Sequence, residues 1–259
     1  MLLSDRRNKI MDMLCIQGSA TVCELSEALS VSEETVRRDL SAMEGEGLLN
    51  RVYGGAYLGN QVRQMVPNDM RKNTLCEEKA DIAVICKGMI RNGDTIMLDA
   101  SSTALYVAKC IVNYENLTVI TNSLDITYLL SKSAGVHVIC CGGHLDQKSM
   151  SFMEAEALEG LSRYYADICF VSCTGVSYDF GLTDSIEMQS RIRRMMIQHA
   201  QKKICIADNT KIGKTTLCHI VPLSDMDAIV LDSKPSEEWL EKFRDDNVAC
   251  YFPADKNTD

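Results

Sequence analysis

The chain has 259 residues, more than one compact core usually holds, and its 46% hydrophobic and 24% charged residues are those of a globular protein rather than a disordered one. A formal net charge of −9 excludes a protein that binds nucleic acid over its whole surface; one small basic face survives, because salt screens charges beyond about 10 Å at ~0.1 M. No apolar run reaches membrane-span length, and with no signal peptide the 12 cysteines read as free thiols of a reduced, cytoplasmic chain.

None of those cysteines is spaced C-x-x-C, and no histidine pair accompanies them, so neither a zinc site nor any other metal or cofactor is expected. Most lie in apolar segments, where a thiol is a small hydrophobe. None stands in an obviously basic setting, which makes a redox sensor the minority reading.

Residues 1–58 read as three short helices and a hairpin. Asp5 to Gln17 and Thr21 to Leu29 are amphipathic, and Thr21 with Glu24 has capping-box spacing. Ser30-Val31 breaks the periodicity, and Ser32 is placed to cap a third helix. Along it Val36, Leu40 and Met43 share one face, expected to pack on Ile10, Leu14, Leu25 and Leu29. Arg38 and Ser41 then point the opposite way, with Thr35 and Arg37 on the flanks. Adjacent arginines suit a helix that enters DNA, reading guanine or holding phosphate. A helical bundle with a solvated basic face fits the same spacing about as well. Apolar runs around Tyr53-Gly54-Gly55 read as a hairpin. Behind a helix-turn-helix such a hairpin is a wing, and Arg51 and Tyr53 would reach the DNA backbone from it. The candidate DNA contacts are Ser32, Thr35, Arg37, Arg38, Ser41, Arg51 and Tyr53.

"VSEETVRRDL" (31–40) followed by "EGEGLLNRVYGGA" (44–56) resembles the N-terminal domain of the DeoR family of bacterial repressors, whose pattern is close to V-S-x-x-T-[IV]-R-R-D-L, then L-x-R-x-[HY]-G-G-A. The resemblance implies a winged helix-turn-helix that binds double-stranded operator DNA.

Residues 59–75 are polar and irregular, contain Pro67, and read as a linker. From Cys76 a helix is expected to about Ile90. Strands then follow at Thr95–Leu98, Leu117–Ile120, Val136–Cys140, Ile168–Ser172, Lys203–Ala207, Ala228–Leu231 and near Cys250. Helices are expected up to Ile111, up to Ser133, over Ile186 to Gln201 and around Glu237 to Arg244. Alternation of strand and helix means crossover connections, hence a second α/β domain, 76–259, with a mostly parallel, Rossmann-like sheet.

Each small-polar or glycine cluster falls just after a strand: Asp99, Ser101, Ser102 and Thr103; Thr121, Asn122 and Ser123; Gly142 and Gly143; Gly175; Lys211. In an open parallel sheet these positions meet along one edge, where ligands bind. Hydroxyls, backbone amides and a lysine suit a phosphorylated polyol. Any single cluster is more often a helix cap; several on one edge tilt toward a site.

The family resemblance continues through "EEKADIA", "GDTIMLDASST", "LTVITNS", "CGG", "ADICFVSCTGV", "GLTD", "RRMMIQHA" and "IADNTK", which look like the DeoR sensor domain. That domain is similar to ribose-5-phosphate isomerase and glucosamine-6-phosphate deaminase. The resemblance implies a sensor of phosphorylated sugars contacted by Ser102, Thr103, Asn122, Gly143 and Lys211, with Arg193 where the family usually has lysine. Three positions depart from the pattern: Ser101 and Glu154 replace glycines, and Asp146 replaces an arginine. If Asp146 and Glu154 line the pocket they repel a phosphate, so either the ligand is less charged or that loop faces elsewhere.

The reading is a repressor of a sugar-metabolism operon, not an enzyme, acting as a dimer or tetramer because one winged helix offers little interface. The alternative is an isomerase or deaminase carrying a DNA-binding appendage. It needs a carboxylate base, for which Asp99, Asp179, Asp184 and Glu187 are candidates. A nucleotide-binding domain is disfavoured because no G-x-G-x-x-G opens a helix.

Overall fold

The computed structural model describes residues 2–58 and 68–254, and by internal contacts divides into two compact units, Met1–Cys76 and Glu77–Asp259.

In the first unit α1 (Leu3–Gln17), α2 (Val22–Leu29) and α3 (Glu33–Gly45) enclose a core in which Ile10, Met11, Leu14, Leu25, Val36, Leu40 and Met43 are essentially inaccessible. Thr21 caps α2 through a complete capping box, and Ser32 Oγ accepts the Thr35 N–H at 3.3 Å to cap α3. Ser30, in the left-handed region at φ 52°, makes the turn between them. The wing consists of β2 (Asn50–Val52) and β3 (Gly55–Tyr57), joined by the turn Tyr53-Gly54. A strand too short to show periodicity, β1 (Ser19–Thr21), pairs antiparallel with the other side of β3.

Of the stretch read as a linker, residues 59–67 lie outside the described residues, and Asn68–Lys72 is a short helix, α4. Met70 packs against the core of the first unit, and the Leu75 N–H donates to Asp12 Oδ1 at 2.8 Å.

In the second unit α5 (Cys76–Lys87) leads into β4 (Thr95–Leu98), α6 (Ser102–Cys110), β5 (Leu117–Thr121), α7 (Leu124–Leu130) and β6 (Val136–Cys140). Next come β7 (His144–Asp146), β8 (Ser151–Met153), α8 (Glu154–Ser162), β9 (Ala166–Val171), β10 (Gly175–Ser177), β11 (Gly181–Asp184) and α9 (Glu187–Gln198). The chain continues through β12 (Ala200–Ala207), β13 (Cys218–Val221), β14 (Ala228–Leu231), α10 (Glu237–Asp245) and β15 (Ala249–Tyr251).

Seven strands form one sheet in the order β15-β14-β12-β9-β4-β5-β6, every pairing parallel. Alternation along each strand sends side chains to two cores: Met97, Cys169, Val171 and Cys205 to one, Ile96, Leu98, Phe170 and Ile204 to the other. From β4 the chain builds outward through β5 and β6, then returns to the other side of β4 with β9. The order reverses between β4 and β9, where doubly wound sheets open a crevice.

Two smaller sheets add to the expected pattern, the β7–β8 hairpin and β10-β11-β13. The helix expected to run to Gln201 stops at Gln198, because from Ala200 the backbone pairs with β9 starting at Ala166. Among the described residues no helix is long and apolar enough to cross a membrane.

Candidate DNA interface and effector site

On α3, Arg37, Arg38 and Ser41 are exposed and Thr35 is half-buried, on the side away from Val36, Leu40 and Met43. Arg37 pairs with Glu33 one turn earlier, while Ser32 Oγ and Thr35 Oγ1 stand 2.9 Å apart at the helix start. On the wing Arg51 and Tyr53 are exposed, and the Arg51 N–H donates to Glu44 Oε1 at 3.0 Å, tying the wing to the end of α3. The residue that sequence reasoning missed is Asp39. It is buried, and Arg6 of α1 grips both its carboxylate oxygens, through Nε and through Nη2 at 3.1 Å. The pair ties α1 to the buried side of α3. Two exposed arginines on a helix braced from behind, with a hairpin at its end, form a surface that can enter a groove and touch the flanking backbone.

In the second unit β4, β5, β6 and β9 end within a residue of one another, Leu98 beside Thr121 and Phe170 and Thr121 beside Cys140, while β12 runs two residues past Cys205, the partner of Val171, to Ala207. The residues after them therefore line one edge. Several of its hydroxyls are spent on helix starts. Ser101 Oγ accepts the Ala104 N–H at 3.0 Å, Thr121 Oγ1 the Ser123 N–H at 3.0 Å, and Ser123 Oγ the Ile126 N–H at 3.2 Å. Ser102 is half-buried at the first position of α6, with Thr103 buried beside it.

A charged frame occupies the switch point. Asp99 accepts N–H groups from Ser101 and Ser172 at 3.1 and 3.0 Å and from Arg193 Nε at 2.7 Å. The other Arg193 nitrogens go to Asp184 and, at 3.0 Å, to Gln189. Asp99 and Arg193, both candidate effector contacts, thus have their hydrogen-bonding groups taken up within the protein. Burial disfavours each charge, but the partners outweigh it: Asp99 titrates below the usual carboxylate range and Arg193 above its ordinary value. Lys211, from the turn after β12, donates to Ser172 Oγ at 3.0 Å and lies 3.4 Å from Asp208. Burial opposes its charge too, but Asp208 together with Cys173 and Cys205 outweighs that and raises its pKa.

Gly143 and Gly175 are required for close approach. A Cβ on Gly143, at φ 113°, would lie 2.7 Å from the Met153 carbonyl oxygen; one on Gly175 would lie 2.4 Å from that of Lys214. Gly142, at φ 68°, has open space beside it.

The three departures from the family pattern are resolved differently. Ser101 caps α6. Asp146 turns into its own loop, accepting the Ser149 hydroxyl and, at 2.9 Å, the Ser149 N–H. Burial pushes its pKa up, yet those hydrogen bonds bring it below the ordinary value. Glu154 is exposed and holds a left-handed φ of 71° at the start of α8, the conformation that favours glycine.

No cysteine sits in a basic setting along the sequence, yet the fold creates one. Cys173 Sγ is buried 4.0 Å from Cys205 Sγ and feels the charges of Lys211 and Arg193. Contact with Cys205 and those cations lowers the Cys173 pKa, and the same contact together with burial raises that of Cys205. Of the carboxylates considered for isomerase chemistry, Asp99 and Asp184 meet at Arg193, which engages both, while Asp179 and Glu187 are exposed.

A braced recognition helix with a wing, in a chain that also carries a doubly wound sheet with a polar carboxyl edge, defines a DNA-binding transcriptional regulator rather than an enzyme. Family models agree over both units: the DeoR-like helix-turn-helix domain matches residues 6–62, and the DeoR C terminal sensor domain residues 75–233. The chain is 38% identical over 248 residues to the HTH-type transcriptional regulator YulB of Bacillus subtilis, covering 96% of each. It is 31% identical to the repressor GlcR of the same species, covering 93% of each. To the glycerol-3-phosphate regulon repressor of Escherichia coli it is 28% identical, covering 95% of this chain and 97% of the relative. Ribose 5-phosphate isomerase A of Methanocaldococcus jannaschii overlaps 54% of this chain and 55% of its own, with a TM-score of 0.40 and 15% identity. The chain belongs to the DeoR family of transcriptional regulators.

Proposed function

We propose that this regulator is a cytoplasmic repressor of a sugar-metabolism operon, released from operator DNA when a phosphorylated sugar binds along the carboxyl edge of its parallel sheet. The observation that carries the reading is that edge. Ser102, Thr103, Asn122, Gly142, Gly143 and Lys211 follow four different strands, β4, β5, β6 and β12, on both sides of the switch point between β4 and β9. Lys211 supplies the cation for a phosphate, the N-terminus of α6 opens there, and Asp99 with Arg193 hold the edge rigid. The name of the glycerol-3-phosphate regulon repressor points to control of phosphorylated-polyol metabolism in a relative of similar length. Arg37, Arg38, Ser41, Arg51 and Tyr53 serve the operator, with Ser32 and Thr35 shaping the entry of α3. Two or more copies act together, since specific sites need winged helices in register.

Fluorescence anisotropy with the chain's own upstream DNA tests the reading. Sugar phosphates added to the complex are expected to release the DNA, while the unphosphorylated sugars leave it bound. Tight DNA binding that no sugar phosphate alters would refute the effector assignment.

A further inference from the structure

Asn122 follows β5 and is 3% exposed. Its backbone and side chain both grip Phe152: the Asn122 carbonyl accepts the Phe152 N–H at 2.8 Å, and Nδ2 donates to the Phe152 carbonyl oxygen at 3.1 Å. A carbonyl oxygen only accepts, so this second bond fixes which side-chain atom is nitrogen and which is oxygen. The remaining atom, Oδ1, is buried with no hydrogen-bond partner. An unsatisfied buried acceptor is costly, and in a native protein its retention calls for a reason.

The position of Asn122 on the edge supplies one. Leu98 pairs with Thr121, so Asn122 lies beside the segment that runs from Asp99 into the start of α6. Helix α6 presents amide donors there, which suit an anion. Oδ1 is the opposite kind of group. As an acceptor it repels the unprotonated, negatively charged oxygens of a phosphate, and it attracts the hydroxyl of a polyol. Lys211 reaches Ser172 at the end of β9, two strands away from β5. Two strand spacings are about 10 Å, too far for one bare phosphate to touch both groups.

We infer that Asn122 Oδ1 accepts a hydrogen bond from a hydroxyl of the effector, so that this chain selects a phosphorylated polyol over inorganic phosphate through a group remote from the phosphate-binding lysine. This deepens the proposed function and rests on it. Asn122 is then a specificity-determining residue, and the orphaned acceptor is the cost of leaving a place for the hydroxyl.

The test uses isothermal titration of the full chain with inorganic phosphate, with the tightest sugar phosphate from a panel, and with each singly deoxygenated analogue of that sugar phosphate. One analogue is expected to bind about tenfold more weakly than its parent, the effect of one hydrogen bond to a buried acceptor. In Asn122→Ala the parent is expected to lose about the same factor, the critical analogue to lose no more, and inorganic phosphate to be unchanged. Equal losses for the parent and for inorganic phosphate, as from a merely structural Asn122, would overturn the inference. So would a wild-type chain that binds every deoxy analogue as tightly as the parent, a measurement that stands even if Asn122→Ala fails to fold. Sugar-phosphate binding indifferent to Asn122 defeats this inference alone; absence of any sugar-phosphate binding defeats the proposed function and this inference with it.

Discussion

Replacing Asp39 with alanine strips Arg6 of both hydrogen bonds it makes behind the recognition helix. The Arg6 side chain is only 10% exposed and that of Asp39 only 3%, so the guanidinium left behind is largely dry. Removing one partner of a buried pair costs roughly 3–5 kcal/mol. Arg6 lies close enough to solvent to swing partly outward, which brings the expected loss to about 2–3 kcal/mol. For a unit of this size each kcal/mol lowers the transition by about 4–8 °C, so the first unit should melt roughly 10–20 °C earlier. The double replacement Arg6→Met with Asp39→Leu removes both charges and is expected to recover most of the loss, because an apolar pair of similar size is often as stable as a buried ion pair. Differential scanning calorimetry of the full chain reads this out, with operator affinity measured alongside at a temperature below both transitions. A cost under about 1 kcal/mol for Asp39→Ala, or additive losses in the double variant, would refute the claim that this pair braces α3.

Arg38→Ala is expected to weaken operator binding by about 1–3 kcal/mol if the side chain reads a base; operator titrations unchanged by both Arg37→Ala and Arg38→Ala would remove α3 as the recognition helix. Gly143→Ala should lower the stability of the second unit by more than about 1 kcal/mol, since φ 113° and the Met153 carbonyl both oppose a Cβ; an unchanged calorimetric transition would contradict it. Acid should also destabilise the second unit. Asp99 and Asp208 are both lowered from the ordinary 3.8, burial being outweighed by Arg193 with Ser101 and Ser172 for one, and by Lys211 with Thr210 and Lys79 for the other. A carboxylate lowered in the folded state gives stability that is complete once the unfolded chain is ionised and is lost as pH falls through the folded value. Unfolding free energies should therefore be level from pH 7 to about 5 and drop below about 4; a loss centred near pH 6 would point to other groups.

The first unit was legible because its signals are local. Capping by Thr21 and Ser32, the Val36-Leu40-Met43 face and the hairpin turn each depend on residues a few positions apart, and the structure keeps them all. Asp39 was not legible as a brace, because its partner Arg6 lies in another helix and nothing local marks it as buried. The seven parallel strands were readable as apolar runs followed by small polar clusters. Strands β7, β8, β10 and β11 span three or four residues each, too few for a period to show, and they exist through pairing with distant segments. At the carboxyl edge of the sheet the sequence offered a pool of polar residues. Only the fold separates Ser101 and Ser123, which cap helices, Thr121, which closes the turn before Ser123, and Asp99 with Arg193, which engage each other, from Asn122 and Lys211. The acidic residue at 146 spends its carboxylate on closing its own turn with Ser149.

The most direct test of effector-controlled DNA binding is operator anisotropy of the wild-type chain and of Lys211→Ala, each titrated with the same sugar phosphate. A charge-assisted hydrogen bond contributes roughly 1.5–3 kcal/mol, so release from the variant should need tenfold or more of the ligand, while its affinity for operator without ligand stays close to that of the wild type. Release at the same sugar-phosphate concentration in both proteins, or no release of either, would contradict the assignment of the carboxyl edge as the sensor.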